Sequence, residues 1–368
     1  MSRKSMLAAM IGLAALGGIL MVLPKGVRAG SPFDRRFQVE AQSLVVGNVV
    51  GEVRVVGSTA SAFEVEVAVR GKDASADRVR FEQSEGADAK LSILFPSETR
   101  FVYPPLGRGS KTSFRLGNEK EGWLDLLLSA GRGKEITVSG SGSGTEIWAD
   151  VTVHVPAGRK IEIRHGVGSV TASGTTGGTV LATHGGPITA ENVEGGLTID
   201  TGSGKVVVHD VRGGASIDTG SGDVELRGAS GGEIVIDTGS GSVEVDAIDC
   251  SQIQIDTGSG TVEAMEVRAD RGRIDTGSGS IRADFGRMGP GPFDLETGSG
   301  AVDLRIPADA SASISASTGS GRIRCDLTEA QLLHKDQGEM SIRVGAGAAT
   351  VRIDTGSGSI DIHDLAGR

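Results

Sequence analysis

Short runs of alternating apolar and polar residues recur through the second half of the chain. In the segment 233–246, Ile234 and Ile236 alternate with polar residues, and Val243 and Val245 do so again after a short break. A period of two residues is the signature of a half-buried β-strand. The segment therefore predicts two short strands whose four aliphatic side chains face inward.

The break between the two runs is the tetrapeptide Thr-Gly-Ser-Gly, which occurs eight times in the sequence. Glycine adopts positive φ without a Cβ penalty, so these residues predict a chain reversal of about four residues. The preceding acidic residue, Asp237 in this copy, is expected to accept a hydrogen bond from a turn amide. The copies begin at Thr201, Thr219, Thr238, Thr257, Thr276, Thr297, Thr318 and Thr355.

The spacing of the copies predicts the architecture. They are 18 to 21 residues apart, except for a final gap of 37 residues, in which the segment 336–342 resembles a decayed copy. Two histidine-containing segments, 165–168 and 184–186, extend the series to about eleven units. So short and regular a period is typical of a solenoid. We therefore predict an all-β fold, a parallel β-solenoid (β-helix) with two short strands per coil of about 19 residues, stacked at about 4.8 Å, with its handedness left open.

Three regions are expected. Residues 1–29 read as a signal peptide, residues 30–146 as an irregular N-terminal β cap, and residues 147–368 as the solenoid. Within the cap, the segment 43–55 resembles a first, diverged coil. The longest departure from the repeat, at 286–292, predicts a loop at the corner opposite the Thr-Gly-Ser-Gly turns.

The N-terminus has the features of a secretory signal. Arg3 and Lys4 precede an apolar core at 6–23, and Val27 and Ala29 offer small residues for cleavage before Gly30. The core is long enough that an uncleaved membrane anchor stays open as an alternative. The location is thus expected to be periplasmic, cell-surface or secreted.

Charge and cysteine content narrow the function. The net charge of −10 and the absence of a basic cluster argue against nucleic acid and anionic membrane surfaces as partners. Cys250 and Cys325 lie four repeats apart, roughly 19 Å by the strand spacing, which is too far for a disulfide. Interspersed charge is expected on the outward faces, one column of which reads Glu225, Glu244, Glu263, Arg282, Asp303, Arg324, Arg343 and Asp361.

A family resemblance follows from these residues. The early Asn48-x-x-Gly51-Glu52-Val53, the later Val-Pro-Ala-Gly at 155–158 and the Ile-Asp-Thr-Gly-Ser-Gly-x-Val units resemble the bacterial domain-of-unknown-function family of "putative adhesin" β-strand repeat proteins, over roughly residues 37–365. The resemblance implies an exported or envelope-associated β-solenoid, and some members are linked to envelope stress responses. It brings no catalytic residues.

The acidic residue before each turn forms the main candidate site. Equivalent carboxylates stacked about 5 Å apart repel one another, so each either binds its own turn amides or shares a bridging cation. Calcium favours such oxygen ligands, which makes a calcium ladder the alternative to simple capping. The candidate ligands are Asp218, Asp237, Asp256 and Asp275, and the column is expected to continue through Glu296 and Ser317 to Asp336 and Asp354.

Other motifs point to structure. Asp-Thr-Gly-Ser is also the active-site motif of aspartic proteases. Those enzymes use one pair of such motifs facing each other, whereas this chain repeats the motif along a column, which disfavours a protease. His165 and His184 are expected at the same turn position of adjacent coils, where a metal would still lack a third ligand. The single threonine column is expected to be a hydroxyl ladder.

Two functions remain. The first is a non-enzymatic exported module for interaction or structure at the cell envelope, with an unknown protein partner and no cofactor other than the calcium alternative. Protein contact is favoured over sugar stacking because the regular coils contain only Phe285 and Phe293, both expected to be buried. The alternative is a polysaccharide-active β-helix enzyme, which the short corners disfavour.

Overall fold

The chain is described by a computed structural model that covers residues 31–115 and 135–365. These residues form thirty strands and one 3-10 helix, Pro104–Leu106, so the all-β prediction is confirmed. The described ranges contain no helix whose length and hydropathy would let it cross a membrane. The strands are β1 (Phe33–Val39), β2 (Ser43–Val50), β3 (Val53–Ser58), β4 (Phe63–Arg70), β5 (Arg80–Ser84), β6 (Asp88–Leu94), β7 (Arg100–Val102), β8 (Lys111–Arg115), β9 (Glu135–Ser139), β10 (Trp148–Pro156), β11 (Lys160–Val167), β12 (Val170–Ser173), β13 (Thr179–Gly185), β14 (Ile188–Glu194), β15 (Leu197–Ser203), β16 (Val206–Arg212), β17 (Ala215–Ser221), β18 (Val224–Ser230), β19 (Glu233–Thr238), β20 (Val243–Thr257), β21 (Val262–Thr276), β22 (Ile281–Met288), β23 (Pro292–Thr297), β24 (Val302–Ile306), β25 (Ala312–Thr318), β26 (Ile323–Asp326), β27 (Ala330–Lys335), β28 (Glu339–Val344), β29 (Ala349–Thr355) and β30 (Ile360–Asp364).

Through the repeats, each strand pairs in parallel with the next strand but one. The odd-numbered strands β11 to β19 form one row, and the even-numbered strands β12 to β18 form another. Equivalent residues face each other, as in Thr201↔Thr219 and Thr219↔Thr238. The rows meet in β20 and β21, which are long enough to run through the second corner, so 27 strands form one continuous sheet.

The core lies between the two rows. The inward positions predicted from the alternation are buried: Ile234 and Ile236 are 0% exposed, and Val243 and Val245 are 1% and 0% exposed. Full burial of one such side chain stabilises a fold by about 1.5–3 kcal/mol, so the stacked aliphatic columns are the main source of stability.

The N-terminal region is continuous with the repeats. Strands β2 and β3 pair in parallel with β11 and β12, which agrees with the first diverged coil expected at 43–55. Beyond them, β4 pairs antiparallel with β1 and β10, and β5 with β6. A separate three-stranded sheet has the order β7-β9-β8. The division at 146/147 stays a prediction, and the proposed signal peptide at 1–29 lies outside the described residues.

The C-terminal end corrects the sequence prediction. The segment 336–342 is no decayed coil: Asp336 to Glu339 closes the β27–β28 hairpin, and β28 runs antiparallel to β25. Strand β29 then returns to lie between β23 and β25, and β30 lies between β24 and β26. The spatial order of the corners is therefore Thr297, Thr355, Thr318. The alternation of apolar and polar side chains does not encode the direction or the order of strands. The sequence pattern therefore predicted the wrong strand arrangement at this end.

The departure at 286–292 is shorter than expected. Strand β22 continues to Met288 and β23 begins at Pro292, which leaves only residues 289–291 outside the strands. Gly289 and Gly291 donate backbone hydrogen bonds to the carbonyls of Ala269 and Asp270, so this corner stays attached to the coil below it.

Candidate functional site

Threonine satisfies the Thr-Gly-Ser-Gly corners. Thr276 Oγ1 donates to the carbonyl of Gly260 in the neighbouring copy at 2.9 Å and accepts the amide of Gly279 in its own turn at 3.1 Å. The hydroxyl thus links adjacent turns, and the predicted hydroxyl ladder is present. The same double contact is made by Thr238, Thr257, Thr297, Thr318 and Thr355.

The glycines are needed for a different reason than the sequence suggested. In the regular copies, such as 257–260, neither glycine has positive φ. A Cβ on Gly260 would lie 1.8 Å from the carbonyl oxygen of Gly241, and one on Gly258 would lie 2.4 Å from that of Gly239. Within the regular copies the stacked turns approach too closely for a side chain, so both positions require glycine there.

The carboxylates do form a column. Register places Asp218, Asp237, Asp256 and Asp275 opposite one another in sequence, and the column continues from Asp275 through Glu296, Asp354 and Ser317. The last part corrects the predicted order, because β29 lies between β23 and β25 and the hairpin residue Asp336 is not a member.

These carboxylates face solvent and do not cap their turns. Asp218, Asp237 and Asp256 are exposed, and within the described ranges none of the four candidate ligands accepts a turn amide, a role that threonine fills instead. Partial burial, with the charges of Asp275 and Asp237, raises the pKa of Asp256. Arg273 offsets part of this repulsion by donating to Asp275 at 2.8 Å.

The column does not gather ligands at one point. Across residues 31–115 and 135–365, no group of three or more His, Cys, Asp or Glu side chains is arranged to hold a metal ion. Calcium bridging therefore stays a prediction that depends on carboxylates of neighbouring coils turning toward each other.

The two turn histidines are not stacked. His165 aligns with Thr183 of the next coil and so lies in the threonine column, whereas His184 follows Thr183 by one residue. His165 is fully buried, with Nε2 2.9 Å from the carbonyl oxygen of Gly51, and burial lowers its pKa to about 4. His184 Nε2 instead lies 3.2 Å from the Ser113 carbonyl oxygen. The one-residue offset excludes the shared position that the sequence suggested.

The outward column on the second row is mixed in charge. Glu225, Glu244, Glu263, Arg282 and Asp303 follow one another as predicted, but Asp361 precedes Arg324. Arg343 leaves the column because β28 runs antiparallel and places it opposite Ser313.

Ion pairs across coils show how this charge is balanced. Arg227 Nη2 lies 2.7 Å from Glu244 Oε1, and Lys205 Nζ lies 2.9 Å from Glu225 Oε2. Exposed pairs contribute at most about 1 kcal/mol, so their role is to keep the long faces soluble.

Both cysteines are free thiols, as predicted. Burial raises the pKa of Cys250 to about 11 and also raises that of Cys325. A raised pKa lowers the thiolate fraction, so neither thiol is activated for nucleophilic or redox chemistry.

One regular feature was missed by sequence reasoning. The second corner contains a column of residues in the left-handed region: Asn192, Asp210, Ala247 and Glu266 have φ between 49° and 55°, and Gly228 has φ of 70°. Their spacing follows the repeat, and each is skipped in the strand register. A column of five residues with only one glycine gives no compositional signal of a left-handed corner.

Comparison with known proteins identifies the family. The family description Toastrack DUF4097 matches residues 125–363. The chain belongs to this family. No curated protein matches the sequence.

Three solved structures are similar to this chain at low identity. They are a "putative cell adhesion protein" from Clostridium sporogenes (10% identity, 91% of this chain and 100% of that chain, TM-score 0.21), a "putative adhesin" from Bacteroides fragilis (14%, 90% and 97%, 0.32) and a "putative adhesin" from Parabacteroides distasonis (11%, 91% and 98%, 0.37). These TM-scores are too low for a comparison of individual residues.

Proposed function

We propose that the repeats form a β-solenoid with two strands per coil, and that the chain serves as a non-enzymatic, exported module for interaction or structure at the cell envelope. The parallel pairing of every second strand supports the solenoid, because equivalent residues such as Thr219 and Thr238 recur at the same place in successive coils. Membership of the Toastrack family is consistent with this proposal.

One observation carries the functional part of the proposal. The described coils combine a continuous aliphatic interior with outward columns of mixed charge, and the exposed large apolar side chains in the described ranges are Leu332 and Leu333, both on the C-terminal hairpin. A long rigid surface of interspersed charge suits a protein partner recognised by electrostatic complementarity.

Sugar stacking on the coils does not fit the aromatic residues. Phe285 and Phe293 are each 1% exposed, and their ring centroids lie 5.1 Å apart inside the core. Neither ring can present a face to a ligand, so the strand faces are proposed to bind protein.

Cross-linking from each face tests the interaction. A photoreactive residue at Glu244 reports on the second row of strands, and one at Asp237 reports on the first row; both positions are exposed. We expect a discrete adduct with an envelope protein from one face, lost when neighbouring charges on that face are reversed. If the photoreactive residues give no adduct from either face in intact cells, an interaction role is refuted.

Export and catalysis have separate tests. Fractionation with sequencing of the mature N-terminus is expected to place the chain outside the cytoplasm, cleaved before Gly30 or retained on the membrane by 6–23. The alternative polysaccharide-active enzyme predicts new reducing ends or unsaturated sugars from acidic or neutral polysaccharides. We expect none, and measurable turnover would replace the proposed function.

Calcium dependence is tested directly. If calcium bridged the column, chelation would lower Tm, and Asp237→Asn with Asp256→Asn would remove that effect. If the carboxylates are only solvated, chelator and calcium leave Tm unchanged.

A further inference from the structure

The two rows of strands end at different levels at the C-terminal end of the stack. The first row ends in the order β23-β29-β25-β28-β27, whereas the second row ends in the order β24-β30-β26. The first row therefore extends two strands beyond β26, the last strand of the second row. Among the described residues β27 pairs with β28 alone, so its outer edge is free. A free edge presents unpaired backbone groups to which another strand can add.

The core-facing side of β27 is apolar but uncovered. Ala330 lies opposite Val344 of β28. Leu332 lies opposite Ile342, and residues directly opposite each other share one face of a sheet. Val344 and Ile342 are 3% and 2% exposed, which identifies this face as the inward one. Leu332 is nevertheless 57% exposed, because β27 lies beyond the last strand of the opposing row.

The apolar exposure is concentrated on this edge. Leu332 and Leu333 are the exposed large apolar side chains of the described ranges, and both belong to β27. At the other end of the stack, β1 is also an outermost strand, but its Phe33 and Phe37 pack on Phe81. Edge strands are commonly blunted by charges, bulges or a covering element. Strand β27 has one bulge but also two adjacent exposed leucines, which favours an edge that a partner covers.

The sequence of β27 is complementary to itself in the antiparallel direction. One residue of the strand is skipped in its register with β28, so Leu332 and His334 are consecutive pairing positions. A twofold-symmetric pair of β27 strands centred on Gln331 places Ala330 opposite Leu332 of the second copy, on the inward face. On the outward face it places Glu329 opposite His334, whose ring can donate a hydrogen bond to the carboxylate.

Charge disfavours the alternative symmetric register centred on Leu332. That register places Glu329 opposite Asp336, and like charges directly opposite each other are destabilising. The register centred on Gln331 avoids this contact and gathers the inward apolar side chains of both copies into one cluster. We propose that β27 is a self-association edge, through which two copies of this chain pair antiparallel into a dimer whose sheet continues across the interface.

This inference goes beyond the proposed function, because it concerns the end of the stack and stands whether or not the outward columns bind another protein. Sedimentation of the full chain at concentrations up to about 100 µM measures the association. A single strand pair is a small interface, so we expect a dimer with a Kd on the order of micromolar.

Two sets of variants test the contacts. Leu332→Lys should raise the Kd at least about tenfold, because an inward-pointing lysine blocks edge pairing, whereas Thr198→Lys, at an exposed position of β15, should leave it unchanged. His334→Glu should weaken the dimer by placing two carboxylates opposite each other, and Glu329→Lys in the same chain should restore it.

Cysteine cross-linking tests the register. In the proposed dimer the two Gln331 Cα atoms lie about 5 Å apart, within reach of a disulfide, whereas the two Glu329 Cα atoms are displaced by about 13 Å along the strands. After oxidation with diamide, Gln331→Cys should give a covalent dimer. Glu329→Cys, at a position that is also exposed, should stay uncross-linked like the unsubstituted chain with its two native thiols.

The cysteine variants keep the test valid if Leu332→Lys does not fold, because Gln331 and Glu329 are exposed. The inference is overturned if the chain stays monomeric at every concentration, if Leu332→Lys associates like the unsubstituted chain, or if Glu329→Cys cross-links as readily as Gln331→Cys. Cross-linking of Gln331→Cys in intact cells to a different protein, with no dimer formed, overturns it as well.

Discussion

Replacing one corner glycine by alanine should destabilise the stack far more than the size of a methyl group suggests. In Gly260→Ala the new Cβ would lie 1.8 Å from the carbonyl oxygen of Gly241, and both contact atoms are held by the stacked turns. The coils must separate locally by more than about 1 Å, since real Cβ contacts below 3.0 Å essentially do not occur.

The magnitude follows from two terms. Overpacking of a rigid site costs about 1–3 kcal/mol. Separation of the two turns also weakens the bonds that join them, from Thr257 Oγ1 to Gly241 O (2.9 Å) and from Gly258 N to Thr238 O (3.1 Å), at about 1 kcal/mol each. The expected loss is about 3–5 kcal/mol.

Gly178→Ala is the matched control, because its Cβ would meet nothing nearer than 3.7 Å and its φ is not positive. The assay is urea denaturation followed by far-ultraviolet circular dichroism, with hydrogen exchange at residues 257–261 to locate the loss. Equal midpoints for Gly260→Ala and Gly178→Ala would refute the claim that close approach, and not turn conformation, requires glycine at the corners.

Three further outcomes are expected. Burial lowers the pKa of His165 to about 4 in the fold, so as the pH falls the unfolded chain protonates this side chain before the folded chain does. The free energy of unfolding should therefore fall by up to about 3 kcal/mol as the pH drops from about 6.5 toward 4. Measurements of unfolding against pH should show a smaller pH dependence in His165→Gln and an unchanged one in the exposed control His334→Gln. Thr276→Val should cost about 2 kcal/mol because two buried backbone groups lose their partner, while Thr276→Ser should retain most of it; equal Tm values for the two variants would contradict this. In the left-handed column, Ala247→Gly should stabilise by about 0.5–1 kcal/mol and Gly228→Ala should destabilise, so thermal shifts of the same sign would argue against backbone strain there.

The sequence was most informative where side chains alternate. Ile234, Ile236, Val243 and Val245 were predicted to face inward and do so, because a period of two residues has one physical meaning in a half-buried strand. The all-β class and the recurrence of the corners follow from that same pattern.

Direction, order and geometry within the corners could not be read in this way. The alternation in β28 is the same whether the strand runs parallel or antiparallel to its neighbour. Glycine was predicted at the corners because it can adopt positive φ. The structure instead requires glycine there because one turn approaches the next too closely for a Cβ atom. The capping role was assigned to aspartate, whereas the smaller hydroxyl of threonine, pointing inward, fills it.

The burial of Asp284 was the hardest feature to predict. It depends on a register shift at a corner whose left-handed column has no compositional signal, since Ala247 and Glu266 are ordinary residues in an unusual conformation. Asp284 looks like any outward acidic residue until the register shift buries it.

The return of β29 and β30 has a consequence for biosynthesis. A stack whose strands were added strictly in chain order could grow coil by coil as the polypeptide leaves the ribosome. Here β25 and β26 have no partner on the growing stack until residues 349–364 arrive to bridge them to β23 and β24. Growth in chain order therefore stops at the coil of Thr297, and β25 and β26 can join the stack only after β29 and β30 have been made.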